Sequence, residues 1–353
     1  MDYETKKSLI LQRMKQGEGL FKFDINTADR YELDDSAGPD VNNSHYFCYF
    51  SFKNQETLFY RSARRGGDAK DEVWLVFRDK SGNVYMASKD HYSHEEGNPT
   101  TITCIEPEKV MKFEYHGFVR KAVLTKNGYA INDNLPLLSA KMVATFYGKT
   151  QIFEFTRDLD PEVTAGCIAR EEDISNVQNA FKAIHQVHYE QGGLCDLEIE
   201  IDGVKSSVKD GPSMRDHSYG RRVWDFFDRY IWNIILTEKG DLIHNSWMQY
   251  PVLKELQAGF DLSPTKFLSL RETTKMDDVP CVGTTPKEWT VVTTYKDGSK
   301  HTITGRPDFV VPFLFEDDFL VNEGVCEYLI DGKIRGRGIG EFSFNANKNR
   351  WKR

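Results

Sequence analysis

The segment GPSMRDHSYGRR, residues 211–222, crowds an acid, an imidazole, hydroxyls and guanidiniums beside two glycines, and leads straight into VWDFFDRYIWN. Asp216 and His217 are side chains that move protons at or below neutral pH, and Arg215 and Tyr219 are of the kind that polarise or orient an oxygen. In the run that follows, strict alternation sets Trp224, Phe226, Asp228, Tyr230 and Trp232 on one face of a strand. Asp228 is then the one acid on an aromatic face, where burial would disfavour its charged form and raise its pKa. A proton donor among aromatic rings, with little competing water, is what alkene hydration or cation-type cyclisation requires. The expected catalytic set is therefore Asp228, Asp216, His217, Arg215 and Tyr219, with Trp224, Phe226, Tyr230, Trp232 and Trp247 as ligand-binding walls.

Each reading has a structural counterpart. Consecutive residues on a regular strand point to opposite faces, so Asp216 and His217 form a dyad only if a bulge or turn brings both inward. Otherwise the segment is a satisfied polar network that ties down a strand end. Asp228 has nearby arginines with which to pair, and an aromatic stripe also fills a core. His185 and His188 lie three apart, a spacing open to two metal ligands, but no third ligand joins them in a known pattern and no metal is expected. His91 and His94 read as loop residues; His116 and Glu341 lie at strand ends within reach of a pocket mouth, where a structural role is the expectation. Nucleophile motifs such as G-x-S-x-G and H-E-x-x-H are absent. GRGIG (336–340) follows a hairpin turn and enters a strand, so its glycines serve close packing rather than phosphate binding, and no cofactor is expected.

The elements that must position these residues are mostly strands. VWLVFRDKSGNVYMAS, LEIEIDGVKSSVKDG, IILTEKGDLIHNSW, WTVVTTYKDGSKHTITG and CEYLIDGKIRGRGIGEFSF each flank an Asp-Gly, Ser-Gly or Lys-Gly turn with strand-forming residues, the signature of tight hairpins. Two helices stand out. One opens the chain in TKKSLILQRMKQGEG. The other, EEDISNVQNAFKAIHQVHYEQGG, carries Ile174, Val177, Phe181, Ile184 and His188 at helical spacing, with Gly192 and Gly193 after its end. This second helix divides the chain at about 190. The expectation is an all-β protein with few helices: two antiparallel barrel or sandwich domains, 1–190 and 191–353.

Composition narrows the partners. With 46 Lys and Arg against 54 Asp and Glu, the net charge of -8 offers no basic field for nucleic acid or an anionic membrane. RSARRGG is a local exception that reads as a solvated loop. No apolar run approaches the about 18 residues that span a bilayer, and the N-terminus lacks a signal-peptide core. The six cysteines are scattered singly, as in a reducing compartment. A cytoplasmic location is expected, with oligomeric state left open.

The segments NNSHYFCYFSF, RSARRGG, EVWLVFRDKSGNVY, EPEKVMKFEYHGFVRKAVL, HYEQGGLCDLEIEIDG, GPSMRDHSYGRRVWD and CEYLIDGKIRGRGIGEF, in this order, resemble the two-domain lipocalin-like superfamily of carotenoid 1,2-hydratase and the AttH-like proteins. RDHSYGRR is the most specific of them and differs from the RDHSWG-type motif by Tyr219 in place of Trp. The resemblance implies two lipocalin-like β domains with a ligand cavity in or between them. It also implies chemistry of the kind found in that superfamily, which includes an alkene hydratase and proteins that fold polyenes or cyclise terpenoids. The expected function is cofactor-independent, acid/base-assisted isomerisation, cyclisation or hydration at a C=C bond of a small hydrophobic ligand: a polyene, terpenoid, steroid-like or phenolic molecule. The alternatives are a lipocalin-type carrier, marked by a purely apolar cavity wall, and a carbohydrate-active sandwich, marked by two carboxylates across an open groove.

Overall fold

The computed structural model describes residues 1–15, 29, 32–33, 36–184, 186–279, 283–315 and 318–346. Its first sheet is antiparallel and runs in the order Leu138–Gly148, Gln186–Ile201, Val204–Arg221, Val41–Phe50, Thr57–Arg65, Asp71–Arg78, Val84–Ala87, Val110–Lys121. The last of these also pairs with the first, so the sheet curls round on itself. The second sheet is a closed eight-stranded barrel in simple chain order, from Arg229–Thr237 to Ile334–Asn345, with those two strands paired at the seam. At that seam a Cβ on Gly338 would sit 1.8 Å from the Ile234 carbonyl oxygen, and one on Gly340 would sit 2.8 Å from the Trp289 ring. The glycines of GRGIG thus let strands and rings approach closely, as their place after a hairpin turn suggests.

All five expected hairpins form. Asp202-Gly203 and Asp331-Gly332 turn with positive φ at both residues, 49° and 82°, and 51° and 67°, the geometry that suits the twist of the flanking strands.

The boundary expected at about 190 is corrected by the sheet order. The helix Ile174–Ile184 stops short of His188, and Gln186–Ile201 is a strand that pairs along Val204–Arg221 inside the first sheet. The chain passes to the second barrel only across 222–228. Gly192 and Gly193, read as a helix stop, lie mid-strand; a Cβ on Gly193 would meet the Tyr147 carbonyl oxygen at 2.2 Å.

Three buried clusters explain the strand sequences. Phe47, Tyr49, Tyr60, Phe113 and Phe146 fill the first barrel, and Ile231, Trp247, Trp289, Tyr328 and Phe342 fill the second. The third cluster lies between the barrels, where Tyr46, Cys48, Phe59 and Trp74 of one outer face meet Tyr230, Ile234, Phe260, Phe313 and Phe315 of the other. Trp74 stacks on Phe313 with ring centres 3.9 Å apart. Strands covered on both faces need apolar residues at both parities, which is why LFY and VWLVF read as continuous runs rather than alternating ones. Tyr3–Lys15 packs through Ile10 on Ala165 and Ala169 of Pro161–Ala169, a helix that starts on Pro161 with Asp160 capping the Glu162 and Val163 N–H groups. Among the described residues no helix is long and apolar enough to cross a membrane.

Candidate functional site

A cavity of about 590 Å³ lies between the outer faces of the two barrels, roofed by the helices through Ile10, Met14, Leu159, Ile168, Val177 and Phe181. Its size suits a drug-sized or terpenoid-sized molecule. Trp74, Phe155, Trp224, Phe226, Phe227, Tyr230, Trp232 and Tyr250 give it aromatic walls. Four of the five expected wall residues are therefore present, though not by the expected route. Trp224–Phe226 is a 3-10 turn and the strand begins only at Arg229, so the alternation argued for 224–232 is broken. The fifth, Trp247, points into the second barrel, with the Arg229 guanidinium 5.2 Å over its ring. Met248 and Tyr250 take its place in the cavity.

Alternation sorts the polar strand instead. His188 and Glu190 pair in register with Ser218 and Asp216, with no bulge between them. Asp216 and Ser218 face the cavity, and Arg215 and His217 face the interior of the first barrel. The Asp216–His217 dyad does not form.

Arg215 is buried and holds Asp29 through two bonds, Nη2–Oδ2 at 3.0 Å, while its Nε donates to Gln191 at 2.9 Å. Burial works to raise the Asp29 pKa, but the Arg215 charge and the hydrogen bonds from Arg215, the Glu108 N–H and Tyr189 together outweigh this and hold it below the usual carboxylate range. The Tyr189 hydroxyl donates to Asp29 at 2.7 Å and contacts His217 Nδ1; the His217 ring stacks 3.8 Å from His45. Burial, with the neighbouring charges, keeps His217 neutral. Tyr219 packs beside Ile152, Val187 and Tyr189 and tilts against His217 at 5.5 Å, away from the cavity. Arg215, His217 and Tyr219 are thus struts of the first barrel, not groups at the cavity.

Asp228 is also corrected. It is fully buried but does not line the cavity, because the 3-10 turn removes it from the Tyr230 face. Its backbone joins the seam: its N–H donates to Gln249 at 2.9 Å and its carbonyl accepts from Asn345 at 2.8 Å. Asp228→Asn is expected to leave turnover per folded molecule within about twofold of wild type, since no reacting atom comes near it. Steady-state rates normalised to the folded fraction by circular dichroism check this.

Two polar groups remain in the cavity. In the first, the His188 ring lies between Phe155, 4.6 Å away, and Trp232, 5.1 Å away, and its Nε2–H donates to Asp216. Burial disfavours its charge, but the Asp216 carboxylate more than compensates and raises the His188 pKa. Behind Trp232 lies Glu190, which accepts the indole N–H at 3.0 Å and faces His244 Nδ1 at 3.2 Å. Burial and the nearby Asp216 push Glu190 well above the usual carboxyl range. His188, Glu190 and Asp216 each offer a ligand atom, all within 4.8 Å of one another, so a cation could be held there. In the structure Asp216 bonds His188 and Glu190 Oε1 accepts from Trp232, in two separate hydrogen bonds, while Glu190 Oε2 has no hydrogen-bond partner among the described residues.

The second group comes from the barrel seam. Glu323 and Glu341 are direct cross-strand neighbours, and both line the cavity. Tyr46 donates to Glu323 at 3.4 Å; Tyr230 donates to Glu341, which also accepts from Ser343 at 2.9 Å. Burial raises the pKa of both acids. The charge of Glu341 adds to the effect on Glu323, whereas the bonds from Tyr230 and Ser343 temper it on Glu341. Two carboxyls so placed resist losing both protons. Arg61 and Arg222 stand in the same wall, and the helical segments add Arg13, Lys15, Arg157 and Glu162 to the lining.

Of the expected catalytic set Asp216 alone lines the cavity, and His188, Tyr46, Glu323 and Arg222, which also line it, stood outside that set. Glu341, expected at a strand end, sits within Ile334–Asn345. A period-2 signal was there: Val321, Glu323 and Val325 share one parity, as do Ile339 and Glu341, so each acid interrupts an apolar face.

Two antiparallel β barrels packed face to face around a cavity define a protein of the two-domain lipocalin-like class. Within that class, the chain belongs to the family described as Domain of unknown function (DUF7064), whose pattern matches residues 28–348. No curated protein matches it in sequence. Among solved structures, it is similar to kievitone hydratase from Nectria haematococca, with a TM-score of 0.52 and 12% identity over 93% of this chain and 97% of that one. CghA with Sch210972 gives a TM-score of 0.50 and 9% identity over 89% and 94%. A putative AttH from Nitrosomonas europaea gives 0.48 and 10% over 90% and 96%. At these identities the likeness is one of fold.

Proposed function

We propose that the protein is a cofactor-independent enzyme that isomerises, cyclises or hydrates a small, mostly apolar molecule at a C=C bond. The observation that carries this is the buried Glu323–Glu341 pair, with Tyr230 and Tyr46 bonded to it, on the wall of an aromatic cavity. A carboxyl of the pair gives its proton to an alkene carbon. The cation that develops is stabilised by the faces of Trp224, Trp232 and Trp74. The carboxylate left behind, or Asp216, then takes a proton from the neighbouring carbon, which completes isomerisation, or from an attacking water, which completes hydration. In ring closure a second C=C attacks the cation before the proton is lost. His188 orients Asp216 and tempers its charge.

Carriage called for a purely apolar wall, and titratable groups stand in this one, Asp216, His188, Glu323 and Glu341 among them. A glycosidase-like groove called for carboxylates facing each other across open space, whereas Glu323 and Glu341 are side by side in a roofed cavity. A fold shared with a hydratase fits the reading.

The test is mass spectrometry of the organic extract of purified protein, followed by turnover of the unsaturated molecules it identifies. Conversion by the protein alone, unchanged after chelation, is expected. A rate that falls on chelation and returns with a divalent metal would assign the His188–Glu190–Asp216 trio to a metal and overturn cofactor independence.

A further inference from the structure

Of the arginines that line the cavity, Arg61 pairs with Glu72 and Arg157 with Asp158, Arg13 of the first helix bonds Gln178, and Arg222 has no acid or amide partner among the described residues. Arg215, Arg221 and Arg229, which lie outside its wall, pair with Asp29, Asp40 and Asp277. Arg222 lines the cavity, yet no carboxylate lies within ion-pair distance of it among the described residues. Its guanidinium sits 4.3 Å over the Trp224 ring. Its Nη1 reaches only Ser218 Oγ, at a long 3.5 Å, and its Nε is buried with no hydrogen-bond partner.

The acids facing it are engaged elsewhere: Asp216 bonds His188, Glu323 accepts from Tyr46, and Glu341 accepts from Tyr230 and Ser343. Among the described residues Arg222 therefore stands in the cavity wall without an acid of its own. Holding a guanidinium away from water without a counter-ion is costly, and its planar fork of N–H donors matches an anionic oxygen group.

We propose that Arg222 receives an anionic oxygen head, a carboxylate or a phenolate, of an otherwise apolar substrate, whose unsaturated body then lies along the aromatic wall toward Glu323 and Glu341. This rests on the reading of the cavity as the site for a small apolar molecule, and narrows that class to one carrying a single acidic oxygen group. The shared chemistry is a monoanionic oxygen at the end of a hydrocarbon skeleton.

Equilibrium binding, read by quenching of tryptophan fluorescence, tests this without turnover. Dodecanoate, dodecanol and a nonyl nitrophenolate are titrated into the full chain. Wild type is expected to bind at least one of the two anions roughly 10- to 100-fold more tightly than dodecanol, the range for a charge-assisted hydrogen bond, and the favoured anion shows whether the head is carboxylate or phenolate. Arg222→Met is expected to erase the preference while dodecanol binding stays, and Arg222→Lys to keep part of it, since the charge remains and the fork is lost. Arg221→Gln, which removes an exposed arginine already paired with Asp40, should leave the preference intact. Equal binding of alcohol and anions by wild type, or a preference that survives in Arg222→Met, overturns the assignment of Arg222 alone. Absence of binding by all three probes overturns the cavity reading with it.

Discussion

Glu341→Gln is expected to lower kcat about 10²- to 10⁴-fold, the range for loss of a positioned general acid, while the protein stays folded. The amide keeps an oxygen that accepts from the Tyr230 and Ser343 hydroxyls, so the wall is preserved and only the exchangeable proton is lost. The amide is neutral, as the protonated acid is, so Tm should not fall. The pH profile separates this from a structural effect. An acid whose pKa is raised by burial is protonated, and active, below that raised value, and loses its proton as pH climbs through it. Wild-type kcat should therefore fall on the alkaline side with the apparent pKa of the Glu323–Glu341 pair, and the residual rate of Glu341→Gln should lack that limb. Glu323→Gln should behave in the same way, because the pair titrates as a unit. Wild-type rates in both variants, measured with the substrate found in the extract, would remove the pair from the chemistry.

The fold was largely legible because its determinants are local. Asp202-Gly203 and Asp331-Gly332 announce hairpins whatever surrounds them, and a chain of hairpins leaves few all-β arrangements. The domain boundary was not legible, because Ile184 and His188 keep helical spacing across a junction where pairing with Val204–Arg221 takes over. Tertiary pairing overrode a local pattern that ran on by chance for one more turn. The site was legible only where alternation holds. RDHSYG alternates faithfully, and the principle that kept Asp216 and His217 apart correctly sends Arg215 and His217 inward. Trp224–Phe226 leaves the strand, and Asp228 leaves the cavity face with it. The rest of the polar wall joins Tyr46 and Arg61 to Glu323 and Glu341 from strands far apart in the chain, a convergence that comes from docking one barrel on the other rather than from any local run.

The motif segment accordingly serves both faces of its strand: Asp216 and Ser218 look onto the cavity, while Arg215 and His217 brace the barrel behind it. Its chemical density reflects two demands on one strand. That strand meets Val41–Phe50 on one side and Gln186–Ile201 on the other, so a change on its inner face would alter the placement of Asp216 and His188 only by disturbing the ladder as a whole.

Replacing Asp29 by Asn should therefore cost stability and leave the chemistry largely intact. The Arg215 and Asp29 side chains are 1% and 0% exposed, so removing the acid leaves a guanidinium buried without its counter-charge. Breaking such a pair costs about 3–5 kcal/mol, which lowers Tm by roughly 4–7 °C for a chain of this length. The sign of the pH dependence follows from the lowered Asp29 pKa. Its contribution is fully present above the ordinary aspartate pKa and is lost as pH falls through the lowered folded value, when Asp29 takes up a proton. The wild type should thus lose stability on acidification through that range, and the Asn variant should lack this component of the loss. Arg215→Met should destabilise similarly, now by stranding the carboxylate, and per folded molecule either variant should turn over substrate within about threefold of wild type. Calorimetry across pH together with rates normalised to the folded fraction decides the matter. A variant that keeps the wild-type Tm but loses turnover by orders of magnitude would return Arg215 to the reacting groups, where its place in the motif first suggested it belonged.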